Sequence, residues 1–211
     1  MNDEQSKKQA LIIFVRRPER GKVKTRIAAT AGDILALDIY RKLLAHTNAV
    51  SAQADADRFI FYADAIGSND LWNGCRKQLQ DPVDLGLRMY SAFRQVFGEG
   101  YAKVCIIGSD CAELEVKHLR EAFAALRQHD MVIGPATDGG YYLLGLRTLR
   151  EALFANIAWS TDAVLAQTLE RCSATGLSHT LLATLSDVDT WEAVPEAWKQ
   201  ALPGAGTSEK A

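Results

Sequence analysis

"KVCIIGSD", residues 103–110, carries an apolar run with no polar alternation that stops abruptly at Gly-Ser-Asp. A run of that kind marks a strand covered on both faces, as in a parallel sheet. Working outward, "ALIIFV" (10–15), "RFIFYA" (58–63) and "MVIG" (131–134) read the same way, and "QLQ" (78–80) and "HTLLAT" (179–184) are shorter strands. Helical spacing fills the intervals. Asp33 can cap a long helix in which Leu37, Tyr40, Leu44, Thr47 and Val50 recur on one face, and Asp84 caps another through Leu85, Met89, Ala92 and Val96. Further helices are predicted over about 115–128 and 161–175, and a last one starting at Asp189 or Thr190 and containing Trp191 and Trp198. Strand and helix in alternation imply an α/β fold with a mostly parallel sheet, whose ligands sit at the carboxyl ends of the strands.

The bulk composition narrows the function classes. With 211 residues and 48% hydrophobic content, the chain can bury roughly 70% of its unfolded surface in one core. One domain over 10–202 is expected, with polar tails at 1–9 and 203–211. A net charge of −2 argues against a general nucleic-acid binder, so recognition of phosphate must be local. The cysteines (75, 105, 111 and 172) form no C-x-x-C and the four histidines no ligand pair, which disfavours a zinc site. The apolar run 11–15 is too short for a leader or a membrane span, so the reading is a cytoplasmic protein with reduced thiols, small-molecule substrates and no membrane span.

The strand-end rule selects among the charged residues. Strand ends carry Arg16 and Arg17, then Asp110, then Asp138, then Asp187 and Asp189. Carboxylates from separate strands meeting on one rim suit a hard cation such as Mg²⁺ or Mn²⁺, which keeps waters and shares its other positions with phosphate oxygens. Each Asp could instead cap the following helix. The loop "RRPERGKVKTR" (16–26) packs six cations into eleven positions. If it is extended, Lys22, Lys24 and Arg26 alternate with Val23 and Thr25 and point to one side, where they could neutralise a polyphosphate; a solvated charge run is the alternative. The loop is not a Walker A motif, since Arg16 takes the first glycine position and Val23 the Ser/Thr position. In "GPATDGGYYLLG" (134–145), Asp138 and Gly139 could be an ordinary hairpin turn, but the turn falls on the same rim. There Gly139 and Gly140 would let the backbone approach a ligand, and Asp138 could accept from a hydroxyl.

Six segments, "FVRRPERGKVKTRIA", "DLGLRM", "IIGSDCAEL", "GPATDGGYYLLGL", "WSTDAV" and "DVDT", resemble in order the motifs of a bacterial transferase family with the GT-A, nucleotide-diphospho-sugar transferase fold. Its members are commonly labelled glycosyltransferases, some tied to arsenosugar biosynthesis. The "KTR" loop is also similar to the phosphate loop of phospholactate guanylyltransferases. The resemblance implies a single-domain, three-layer GT-A (Rossmann-like) fold with a hairpin near the active site. It further implies Asp110 and Asp189 as metal ligands, with Asp187 a weaker candidate, and Arg16, Lys22, Lys24, Thr25 and Arg26 as nucleotide-phosphate ligands. Asp138, Gly139, Gly140 and Tyr141 would line the acceptor or sugar side, and Asp110 and Asp138 would be the catalytic pair. Ala112 and Trp191 stand where the family usually has proline, which touches loop shape more than chemistry.

The expected activity is therefore metal-dependent transfer from a nucleotide-activated donor. Glycosyl transfer to a small acceptor is the first reading and nucleotidyl transfer to a phosphorylated small molecule the second. A module that binds sugar nucleotides or a partner without chemistry is the third. The tryptophans 72, 159, 191 and 198 read as core or interface aromatics, and Cys111 has no histidine near it in sequence to activate it as a nucleophile.

Overall fold

The structure is a computed structural model and describes residues 8–202, so most of both predicted tails lies outside the described residues. In chain order the elements are β1 (Gln9–Val15), α1 (Thr25–Ala31), α2 (Asp33–Ser51), β2 (Asp57–Tyr62), β3 (Arg76–Leu79), α3 (Leu85–Gly98) and β4 (Lys103–Ile107). There follow α4 (Val116–Ala125), β5 (Met131–Pro135), β6 (Tyr141–Leu146), α5 (Val164–Ala174), β7 (His179–Leu181) and α6 (Glu196–Gln200). Strand β1 begins at Gln9, which pairs with Lys103.

The seven strands are ordered β3-β2-β1-β4-β6-β5-β7, and only β6 runs antiparallel to its neighbours. Period-2 alternation along β1 splits the core into two layers. Leu11, Ile13 and Val15 face α2 and α4 through Ile39, Leu43 and Leu119, while Ala10 and Ile12 face α3 and α5 through Met89, Phe93 and Cys172. This is the expected three-layer α/β architecture with a mostly parallel sheet and a β5–β6 hairpin. The strand order reverses between β1 and β4, and a crevice opens beyond strand ends at such a reversal.

Local differences from the sequence reading have physical causes. Helix α1 lies in what reads as a loop; its alanine-rich TRIAATA stretch has high helix propensity but is too short to show a period. Gly32, not Asp33, is the N-cap of α2, and Asp33 is its first residue, where a carboxylate faces the positive helix end. Asp84 does cap α3, accepting from the Leu87 N–H at 3.0 Å. No helix begins at Asp189 or Thr190: α6 starts after Pro195, and Trp191 stays in the preceding loop. The Asp189 carboxylate is drawn instead toward Lys24.

Gly145 sits in the centre of β6 between Cys105 and Val132. A Cβ there would lie 2.6 Å from Val132 Cγ1 and 2.8 Å from Cys105 Sγ. Overpacking of this kind costs about 1–3 kcal/mol. Gly145→Ala should lower stability by that amount in urea unfolding, and an unchanged midpoint would show that the sheet yields more easily than its packing implies.

Candidate active site

A cleft of ≈ 630 Å³ opens on the rim where β1 and β4 end. Its walls include Arg16, Lys22, Lys24, Thr25 and Arg26 from the basic loop, Asp110 after β4, Asp187 and Asp189 after β7, and Tyr141 at the start of β6. The extended-loop expectation fails in detail. Lys24 adopts a left-handed backbone, φ 48° and ψ 48°, and is the N-cap of α1 rather than part of a strand. The three cations nevertheless reach one cleft.

Lys24 is the centre of this arrangement. Its Nζ lies 2.8 Å from Asp110 Oδ1 and 3.1 Å from Asp189 Oδ1, and its side chain is only 7% exposed, against 45% and 47% for the carboxylates. Burial works against the ammonium, but Asp110 and then Asp189 outweigh it and hold Lys24 above the ordinary lysine value. The left-handed backbone costs about 1–2 kcal/mol for a residue with a Cβ, and these ion pairs oppose that cost. Lys22 is paired with Glu19 at 2.7 Å, and Arg26 Nη1 lies 3.7 Å from Asp189 Oδ2 at the exposed mouth.

Backbone hydrogen bonds converge the carboxylates. Val188 N–H donates to Asp110 O at 2.8 Å, tying the segment after β7 to the end of β4. Val188 is buried, so Asp187 and Asp189 on either side of it project around the same point. Tyr40 of α2, which reads in sequence as one more core position, is the functional neighbour that the pattern hides. Its hydroxyl accepts from Arg16 N–H at 2.8 Å and donates to Arg16 O at 3.2 Å, fixing the root of the basic loop.

Asp187 is driven toward its neutral form. Burial first, then the charges of Asp110, Asp138 and Asp189, push its carboxyl up to about 7, with Lys24 opposing. Among the described residues, no three His, Cys, Asp or Glu side chains form a ready-made metal cage. The Asp110–Asp189 pair still suits a cation, since its two oxygens already share one ammonium. Two carboxylate oxygens leave Mg²⁺ or Mn²⁺ positions for water and phosphate, which is how the smaller ion is usually held.

The hairpin is placed differently from the cations. Asp138, Gly139 and Gly140 do not line the cleft, although Asp138 is near enough to act on Asp187. Asp138 Oδ1 accepts from Gly140 N–H at 2.9 Å. Gly139 has φ 88°, and a Cβ on it would stand 2.2 Å from Asp162 O, so the backbone it admits is that of the "WSTDAV" loop. Gly139 O also accepts from Leu165 N–H at 2.9 Å. Tyr141 and Tyr142 pack into opposite core layers, yet both rings border the cleft, where strict alternation would admit one.

The family whose profile matches residues 44–161 is described as an uncharacterized protein conserved in bacteria, DUF2064. The chain belongs to this family. No curated protein matches the sequence. Among solved structures, the DUF2064 chain is similar to a protein from Desulfovibrio desulfuricans G20 described as a candidate nucleotide-diphospho-sugar transferase. Identity is 32% over 86% of this chain and 82% of that one, with a TM-score of 0.82. Rv0371C of Mycobacterium tuberculosis H37Rv, solved with manganese, has a TM-score of 0.56 at 13% identity over 92% and 100% of the two chains. The inositol-1-phosphate CTP transferase of T. maritima has a TM-score of 0.55 at 11% identity over 93% and 98%. The last two share the fold alone with the DUF2064 chain. The first, with its higher identity, supports a transferase that uses a nucleotide.

The Asp187 shift sets a pH dependence in the metal-free protein. Its folded value, about 7, exceeds the ordinary 3.8, so between those values the native state holds more protons than the unfolded chain. Stability should therefore fall as pH rises from about 4 to about 7, by at most about 1.4 kcal/mol per unit from this group. Asp187→Asn should flatten that slope in urea unfolding and stabilise the protein at pH 8 relative to pH 5.

Proposed function

We propose that the protein transfers a sugar from a nucleotide-diphospho-sugar to a small hydroxyl-bearing acceptor, with a divalent cation at Asp110 and Asp189. The observation that carries the reading is the meeting of opposite charges in one cleft. Arg16, Lys22, Lys24 and Arg26 line it together with Asp110 and Asp189, so that a metal-bound diphosphate would be neutralised there. Asp187 lines the same cleft, and Asp138 lies close enough to act on its charge. Carboxyl groups there suit hydroxyls, which donate to them, and repel a phosphorylated acceptor.

In the reaction the acceptor oxygen attacks the anomeric carbon and the bond from that carbon to the diphosphate oxygen breaks. The nucleoside diphosphate leaves with the electron pair, and the acceptor proton passes to a carboxylate or to water. Lys22, Lys24 and Arg26 stabilise charge on the leaving group, where electrostatic assistance has its largest effect. Asp138 does not line the cleft and spends Oδ1 inside the turn, so its part in the reaction would be the charge it sets beside Asp187. Gly139 and Gly140 hold the neighbouring hairpin turn against the Asp162 segment, and Tyr141 reaches the cleft directly. The metal, when bound, polarises the diphosphate oxygens.

Nucleotidyl transfer is the second reading. Three loop cations in one cleft also match a triphosphate, and the alternative acceptor would then be a phosphate. The products separate the two reactions: nucleoside diphosphate is released in the first and pyrophosphate in the second.

The test uses the full chain with Mn²⁺ and panels of nucleoside triphosphates and sugar nucleotides. A true ligand at about 100 times its dissociation constant stabilises by about 2.7 kcal/mol, which a melting curve resolves. Asp110→Ala should cut turnover on the order of 100-fold or more while leaving the circular dichroism spectrum unchanged. If no nucleotide shifts the melting temperature, the enzyme reading is wrong.

A further inference from the structure

The carboxylates assigned to the metal already have a cation. Asp110 Oδ1 and Asp189 Oδ1 come from separate strand ends and accept from a single atom, Lys24 Nζ, at 2.8 and 3.1 Å. The other two cations of the loop do not share this position. Lys22 is paired with Glu19 and is 70% exposed, and Arg26 is 76% exposed and reaches only Asp189 Oδ2. Lys24 alone of the three is buried, at 7% side-chain exposure, and its backbone is turned into the left-handed region to place it there.

We propose that Lys24 is the resident counter-ion of the metal position, so that a divalent cation binds tightly only when a polyphosphate takes over the Lys24 ammonium. The proposal rests on the reading of Asp110 and Asp189 as metal holders and adds an order of events to it. A divalent ion and an ammonium sharing the same two oxygens repel one another at close range. The buried ammonium gains nothing by leaving its carboxylates unless another anion receives it, because an unpaired buried charge is strongly disfavoured. A diphosphate lying along the same wall supplies that anion through charge-assisted hydrogen bonds. Metal and phosphate then favour each other by the same factor, as any two coupled ligands must. In the resting protein Lys24 keeps the two aspartates paired and prevents their mutual repulsion from opening the rim.

The coupling is read from Mn²⁺ binding to the full chain, followed by the electron paramagnetic resonance signal of free Mn²⁺, with and without pyrophosphate. Lys24→Met should bind Mn²⁺ alone about tenfold more tightly than wild type. Pyrophosphate should then enhance Mn²⁺ binding more in wild type than in this variant. Arg20→Met removes the same charge from the basic loop at a side chain that pairs with Asp33 and not with Asp110 or Asp189, and should change the affinity by no more than about twofold, because exposed charges are well screened. Lys24→Gln guards against loss of fold in the methionine variant. Wild type alone offers an independent measurement: reductive methylation of Lys24, followed by mass spectrometry, should be slow without metal and rise several-fold at saturating Mg²⁺.

Equal or weaker Mn²⁺ binding by both Lys24 variants would overturn the proposal, since Lys24 would then assist the metal from behind the carboxylates. A methylation rate unchanged by bound Mg²⁺ would overturn it as well. If neither wild type nor the variants bind Mn²⁺, with or without pyrophosphate, the metal assignment falls and takes this proposal with it.

Discussion

Two aspartates held around one lysine ammonium are the constraint on which the functional end of this molecule depends. Asp110 follows β4, Asp189 follows β7 and Lys24 begins α1, so three distant parts of the chain close on one point. Like charges do not assemble spontaneously; the buried cation and the Val188 N–H to Asp110 O bond make the meeting stable. The strand order supplies the space, because β1 and β4 are neighbours at the reversal of the sheet. Tyr40 then fixes the loop root against α2, so that the basic segment leaves β1 in one direction.

The same convergence explains why an anionic chain can serve anionic ligands. A net charge of −2 argues against a broad positive face, yet four cations of one loop share a cleft. Asp110, Asp187 and Asp189 line the same cleft, and burial first, then the neighbouring carboxylates, pushes the Asp187 carboxyl toward its neutral form. This meeting of opposite charges, more than the fold, bears on the chemistry, since the same architecture accommodates several nucleotide chemistries.

Much of the fold was legible because its signals are local. Unbroken apolar runs marked β1, β2, β4 and β5, and Asp84 announced the start of α3 through its cap. Helix α1 escaped because seven residues hold too few turns to display a period. Read alone, Asp189 looks like a helix cap and predicts the last helix too early, because a capping aspartate and an ion-paired one are the same letter. Gly139 shows the opposite difficulty: the need for a glycine was visible, but the chain that passes over it is the remote Asp162 backbone.

The sequence by itself determined the α/β class, the identity of the strand-end residues and the presence of a basic loop, because hydrophobic period and residue chemistry are properties of neighbours in the chain. Only the tertiary structure decided which charges meet. It turned Lys24 inward while leaving Arg26 at the mouth, placed Tyr40 under the loop and kept Asp138 off the cleft lining. Ion pairs and burial depend on distances between residues up to 165 positions apart. Those distances are set by sheet order and register, and no local pattern encodes them.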